Sequence, residues 1–169
     1  MVATAGLMPS TASANNWGGH KLTYGVTGQK YWIDSSASGT EGGIDTAMER
    51  WNATSTPISY TQTTVKANSR MDFYKVSTVN TWWGITNHFV NTTELPVPPN
   101  QNWWWAKIRL DGDFANCPNK IGTISHEAGH GMGLAHESAG TYALMRSDLA
   151  DVLTNVPLPR DIAEINNLY

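Results

Sequence analysis

The chain has 169 residues, the length of one domain, and its 40% apolar content is enough to bury a core. Charged residues make up only 15% and the net charge is -3, with no Lys/Arg run or basic stripe that could track a phosphate backbone, so nucleic acid is not an expected partner. No apolar stretch reaches the roughly eighteen residues that a membrane-spanning helix needs, so nothing here is expected to span a bilayer as a helix.

Residues 1–14, MVATAGLMPSTASA, lack periodicity and end in Ala12-Ser13-Ala14, a small-x-small pattern like a signal-peptidase site. They read as a signal-peptide remnant or a disordered N-terminus ahead of a single domain over residues 15–169, and the expected location is extracellular. Export is compatible with a lone cysteine, Cys117, which cannot form an internal disulfide and reads as a small apolar loop residue. Leu22 to Val26 and Lys30 to Ile33 are short strand-like runs. From Gly43 to Ala53, Ile44, Ala47, Met48 and Trp51 fall at i, i+3, i+4 and i+7, one apolar face of a helix, with Glu49 and Arg50 on the wet side. Pro57 closes that helix, and Ile58 to Thr61 alternates as a strand. Met71 to Val76 and Ile85 to Val90 are two further strands.

Residues 91–102, NTTELPVPPNQN, are rich in Pro and Asn and read as a loop, held by proline stiffness and tryptophan packing. In the next run Trp104, Ala106, Ile108 and Leu110 fall on one side and Trp105, Lys107 and Arg109 on the other, the pattern of a half-exposed strand at a sheet edge. Such an edge would offer unpaired backbone groups to an extended substrate. Asp111-Gly112-Asp113 could offer oxygens to calcium, although a solvated turn is the expected reading. A helix follows from about Ile121 to Met132, then an irregular stretch through residue 158. A closing helix from about Arg160 to Leu168 takes Ile162, Ile165 and Leu168 as its buried stripe. Eight tryptophans, clustered at Trp82-Trp83 and Trp103-Trp104-Trp105, are assigned mainly to core packing.

Residues 126–136 read His-Glu-Ala-Gly-His-Gly-Met-Gly-Leu-Ala-His, matching HExxHxxGxxH at every fixed position. His126 and His130 are four apart on a predicted helix, so both rings project from one face and can take neighbouring corners of a tetrahedral metal site. Glu127, about 100 degrees around the helix from His126, can reach a metal-associated water instead of the metal. Gly133 permits a sharp left-handed turn after the helix, which lets His136 swing back as third ligand. Three neutral imidazoles leave a fourth position for water, the arrangement of a catalytic zinc with Glu127 as general base. After these three, only His20 and His88 remain, and with Cys117 they cannot make a closed second zinc site.

The motif resembles that of the metzincin zinc metallopeptidases, and within them the matrixin catalytic domain. Tyr142-Ala143-Leu144-Met145, ending nine residues beyond His136, is similar to the matrixin Met-turn, whose methionine forms an apolar floor beneath the zinc histidines. Leu158 to Tyr169 is similar to the closing helix of the family, and Ile44 to Thr61 to its first helix and following strand. The resemblance implies an α+β zincin fold: a twisted, mostly parallel sheet of about five strands with one antiparallel edge strand, two long helices and a small C-terminal subdomain. It implies one catalytic zinc on His126, His130 and His136, Glu127 as base, Met145 beneath the metal, and a monomeric endopeptidase acting on protein or peptide substrates. Arg146-Ser147-Asp148 follow Met145, so a metal-binding tyrosine at that place is absent; Arg160-Asp161 stands where vertebrate matrixins carry two aspartates, and Asp161 is expected to brace the Met-turn. Two other readings keep the same fold: a hydrolase of cell-wall peptide cross-links, and a non-catalytic peptide- or glycan-binding module.

Overall fold

A computed structural model describes residues 15–147 and 154–169. Residues 1–14, read above as a signal-peptide remnant or a disordered N-terminus, and Asp148 lie outside them. Among the described residues the fold is α+β, a six-stranded mixed sheet with three α-helices. In chain order the elements are β1 (Gln29–Ile33), α1 (Glu41–Asn52), β2 (Tyr60–Gln62), β3 (Met71–Lys75), β4 (Gly84–Val90), β5 (Thr93–Glu94), β6 (Trp105–Leu110), α2 (Lys120–Met132) and α3 (Pro159–Leu168). No described helix is long and apolar enough to cross a membrane.

The strands lie in the order β2-β1-β3-β6-β4-β5. Strands β1, β2, β3 and β6 run parallel, and β4 runs antiparallel to β6. The four apolar residues that define the stripe of α1, Ile44, Ala47, Met48 and Trp51, are all buried. They meet Ile124, Ala128 and Met132 of α2, while Phe73 and Ile108 close the core from the sheet. Trp51 joins the two helices by a polar contact as well, its Nε1–H donating to the carbonyl of Ser125 at 2.9 Å.

Close approach on both sides explains why α2 is glycine-rich. A Cβ on Gly131 would stand 2.9 Å from Met71 Cε and 3.2 Å from Ala106 Cβ. The helix is therefore pressed onto β3 and β6 with no room for a side chain. The C-terminal carbonyls of α2, which have no partner within the helix, are taken up from elsewhere. His88 Nε2 lies 2.9 Å from His130 O, Trp103 Nε1–H donates to Gly131 O at 3.0 Å, and the Tyr169 hydroxyl donates to Met132 O at 2.8 Å.

Several expectations need correction. Strand β6 is interior, paired with β3 on one side and β4 on the other, so Trp104, Trp105, Ala106, Lys107, Ile108, Arg109 and Leu110 do not form an exposed edge. Ala106, Ile108 and Leu110 are buried as the alternation implies, but Trp104 precedes the strand and is 39% exposed, while Trp103 is fully buried. Half-exposure was mistaken for an edge. The half-exposed side chains of β6 occupy the sheet face away from the helices, where Lys107 stands over the Tyr74 ring and Arg109 donates to Asn87 Oδ1 at 2.7 Å. Leu22 to Val26 is not a strand; Leu22 makes only an isolated bridge to Trp103. Residues Thr93–Glu94 inside the predicted loop form β5 against Phe89 and Val90, and Leu95 packs with Leu22 and Trp103. In α3 the buried face carries Asp161, Glu164, Ile165 and Leu168, with Ile162 only half-buried.

Trp51 fills the α1–α2 seam completely, so Trp51→Ala should cost about 3–5 kcal/mol of stability, read as a shift of the urea midpoint at unchanged slope. A loss below about 1 kcal/mol would mean that the two helices do not depend on this ring.

Candidate metal centre

Helix α2 begins at Asn119, whose side-chain oxygen accepts from Gly122 N–H at 3.0 Å, and it ends at Gly133 with φ +117°. That left-handed conformation is open to glycine and strained for other residues. The turn reverses the chain as expected, and the structure brings His126, His130 and His136 together. His126 and His130 are buried, whereas His136 faces solvent. The Nε2 atom of His136 lies 3.1 Å from that of His130 and 3.1 Å from that of His126.

Hydrogen-bond accounting shows what such a cluster can hold. His126 Nδ1 is 2.9 Å from Leu144 O, and His130 Nδ1 is 2.8 Å from Leu134 O. A carbonyl only accepts, so both Nδ1 atoms carry hydrogen and both Nε2 atoms present lone pairs. His136 can donate to at most one of them. Protonation does not resolve the conflict, because burial pushes His126 down to about 4, His130 well below its ordinary range and His136 downward too. Converging lone pairs that resist protonation fit a metal cation. Nitrogens at neighbouring corners of a tetrahedron with bonds of 2.0–2.1 Å stand about 3.3 Å apart, close to the spacing here. The three histidines could therefore hold a metal ion, and imidazole ligation suits Zn, Cu, Fe or Ni.

Each carbonyl that orients a ring is itself held. Leu134 N–H donates to Gly129 O, closing the turn. Leu144 sits in a turn clamped by Asp161, whose carboxylate accepts from the N–H groups of Leu144 (2.8 Å), Met145 (3.1 Å) and Leu158 (2.8 Å). Asp161 thus braces the turn, as the sequence implied. Met145 is buried against α2, where a Cβ on Gly129 would meet its sulfur at 2.4 Å. The segment after His136 is fastened to the same turn: Glu137 N–H donates to Met145 O, Ser147 N–H to Glu137 O, and Arg160 Nε meets Glu137 Oε1 at 2.5 Å.

Glu127 is not part of the imidazole cluster. Its buried carboxyl is pushed up to about 7 by desolvation, an effect only partly opposed by the Thr86 hydroxyl. Thr86 Oγ1 lies 2.7 Å from Glu127 Oε2 and 2.9 Å from Glu127 O. Gly84 provides the space beside it, since a Cβ there would meet Glu127 Cγ at 2.7 Å. Neither Thr86 nor Gly84 was marked by sequence reasoning; both belong to a strand whose contact with α2 is set by tertiary register.

Asp111, Cys117 and His88 hold structural places. Asp111 is buried and its oxygens accept from Asn80 N–H, Asn80 Nδ2 and Asp113 N–H, so this carboxylate shapes a turn and does not stand ready for calcium. Cys117 is buried with Sγ 3.4 Å from Thr123 Oγ1, and His88 places its Nε2 on the His130 carbonyl. Compared with protein-family models and with curated proteins, the chain finds no match in either.

The crowding at Gly129 gives a test in which two effects oppose. Alanine gains about 1 kcal/mol of helix propensity, yet overpacking against a buried methionine sulfur costs about 1–3 kcal/mol. Gly129→Ala should therefore be destabilised and should bind divalent metal at least about tenfold more weakly, measured by competition with a chromophoric chelator. Unchanged affinity would show that the Met145 turn does not hold the rings.

Proposed function

We propose that the protein is a zinc-dependent endopeptidase of the metzincin type that hydrolyses peptide bonds in extended polypeptide substrates. The observation that carries this reading is the meeting of three imidazole nitrogens beside a buried carboxyl, that of Glu127, which lies outside the imidazole cluster and faces the Thr86 hydroxyl. A structural metal site would close its ligand shell with protein groups; here there are three, and the His136 side is open to solvent. HExxHxxGxxH and the turn ending in Met145 support the family assignment.

His126, His130 and His136 would hold the zinc, which when bound would supply Lewis acidity for the hydrolysis. Glu127 takes a proton from that water as the water oxygen bonds to the carbonyl carbon. The carbon–nitrogen bond then breaks, and Glu127 returns the proton to the departing amine nitrogen, leaving a carboxylic acid and an amine. The buried pair of Asp161 with the Leu144 and Met145 amides keeps the ligand orientation fixed through both transfers.

The substrate-pairing edge is β4, not β6. Strand β5 covers β4 only at Phe89 and Val90, and Leu95 N–H takes His88 O, so among the described residues the outer edge from Gly84 to Asn87 has no strand against it. Alternation along an antiparallel ladder directs the backbone groups of Gly84 and Thr86 to the same outer side as His88 O. An extended peptide adding there would pass beside Glu127, which touches both residues. The signal-peptide-like leader agrees with secretion, and substrate rather than a partner subunit is the expected binding partner.

Two measurements test this reading. Glu127→Gln should keep one zinc per chain and the fold, yet lose about 10²–10⁴-fold in kcat on a fluorogenic peptide library. A variant that keeps a tenth of wild-type turnover, or a wild type insensitive to a zinc chelator, would overturn it. A crystal structure with a peptidomimetic should show its backbone paired along Gly84 to Asn87; binding elsewhere would refute the β4 edge.

A further inference from the structure

On the peptidase reading above, we infer that Thr86 is a positioning residue that fixes the Glu127 carboxylate and couples it to the strand edge on which substrate pairs. Thr86 has one hydroxyl hydrogen and two oxygens of Glu127 within reach, Oε2 at 2.7 Å and the main-chain O at 2.9 Å. The main-chain carbonyl of Glu127 already belongs to the α2 hydrogen-bond ladder, whereas the carboxylate has no such partner. The hydrogen goes to the carboxyl, the nearer of the two acceptors. It occupies Oε2 and leaves Oε1 as the oxygen that Thr86 does not engage.

Three further features place this contact in service of the reaction. Thr86 is buried, so its hydroxyl is not traded against water. Gly84, two residues earlier on the same face of β4, stands so close that any side chain would displace the Glu127 stem, and together the two residues form a wall along one side of the carboxylate. The main chain of Thr86 also lies on the uncovered edge, with its side chain on Glu127 and its peptide groups turned outward. A substrate strand that pairs with this edge is thereby registered against the base through a single residue, and a shift of the strand carries the base with it. Valine has the shape of threonine without the hydrogen, so the role is separable from packing.

Zinc-loaded wild type, Thr86→Val, Thr86→Ser and Gly84→Ala are compared by kcat and KM on a fluorogenic peptide, by metal content, and by crystal structure. Thr86→Val should lose about tenfold or more in kcat with KM within about twofold, keep one zinc per chain, and show the Glu127 carboxylate turned away from β4. Thr86→Ser should restore both the orientation and most of kcat. Gly84→Ala should reproduce the kcat loss by the independent route of displacing Glu127. A Thr86→Val or Gly84→Ala protein that keeps more than half of wild-type kcat, or whose Glu127 is unmoved in the crystal, overturns the inference. If wild type cleaves no peptide, the peptidase reading fails, and the position of Glu127 in the Thr86→Val and Thr86→Ser crystals alone decides whether Thr86 positions it.

Discussion

Two imidazole N–H groups are committed to main-chain carbonyls, and that commitment forces two lone pairs into one small volume. Left to itself such a cluster is repulsive, and burial closes off protonation as a remedy. Much of what surrounds it can be understood as the means of keeping the rings there. The carbonyl behind His130 comes from the glycine turn immediately after its own helix, so it is positioned by local geometry. The carbonyl behind His126 comes from a turn eighteen residues away in sequence, and that turn is held by Asp161 on a third helix. One ring is oriented locally and the other by tertiary structure.

This division also marks what could be read from the sequence. The stripe of α1, the extent of α2, the left-handed Gly133 and the meeting of the three histidines all follow from spacing within about one or two turns, where side-chain direction is dictated by helix geometry. Asp161 was reached only through family resemblance, since no local pattern tells which amides a helix carboxylate will meet. Thr86 and Gly84 were invisible for a related reason. Their importance lies in which atoms of α2 fall opposite them, and strand-to-helix register is not a property of either segment alone.

The largest misreading was to place β6 at a sheet edge. Alternation along Trp105 to Leu110 reports that one face is wetter than the other, which holds for any strand whose sheet is covered by helices on a single side. It says nothing about whether the strand's own edges are paired. In this sheet both faces and edges matter: the helices cover one face, while β5 leaves the outer side of β4 from Gly84 to Asn87 without a strand against it. What distinguishes β4 is the shortness of β5, and two residues of pairing leave no periodic trace.

The end of α2 is finished by side chains from widely separated parts of the chain. Trp103 is 28 residues from its acceptor, the Tyr169 hydroxyl is 37 from Met132 O, and the same hydroxyl accepts the N–H of Leu22 across 147 residues. Loops of that span close slowly, because their entropy must be surrendered before the contact returns anything. The last turn of α2, the one carrying His130, is thereby completed only where Leu22, Trp103 and Tyr169 have all come together with it.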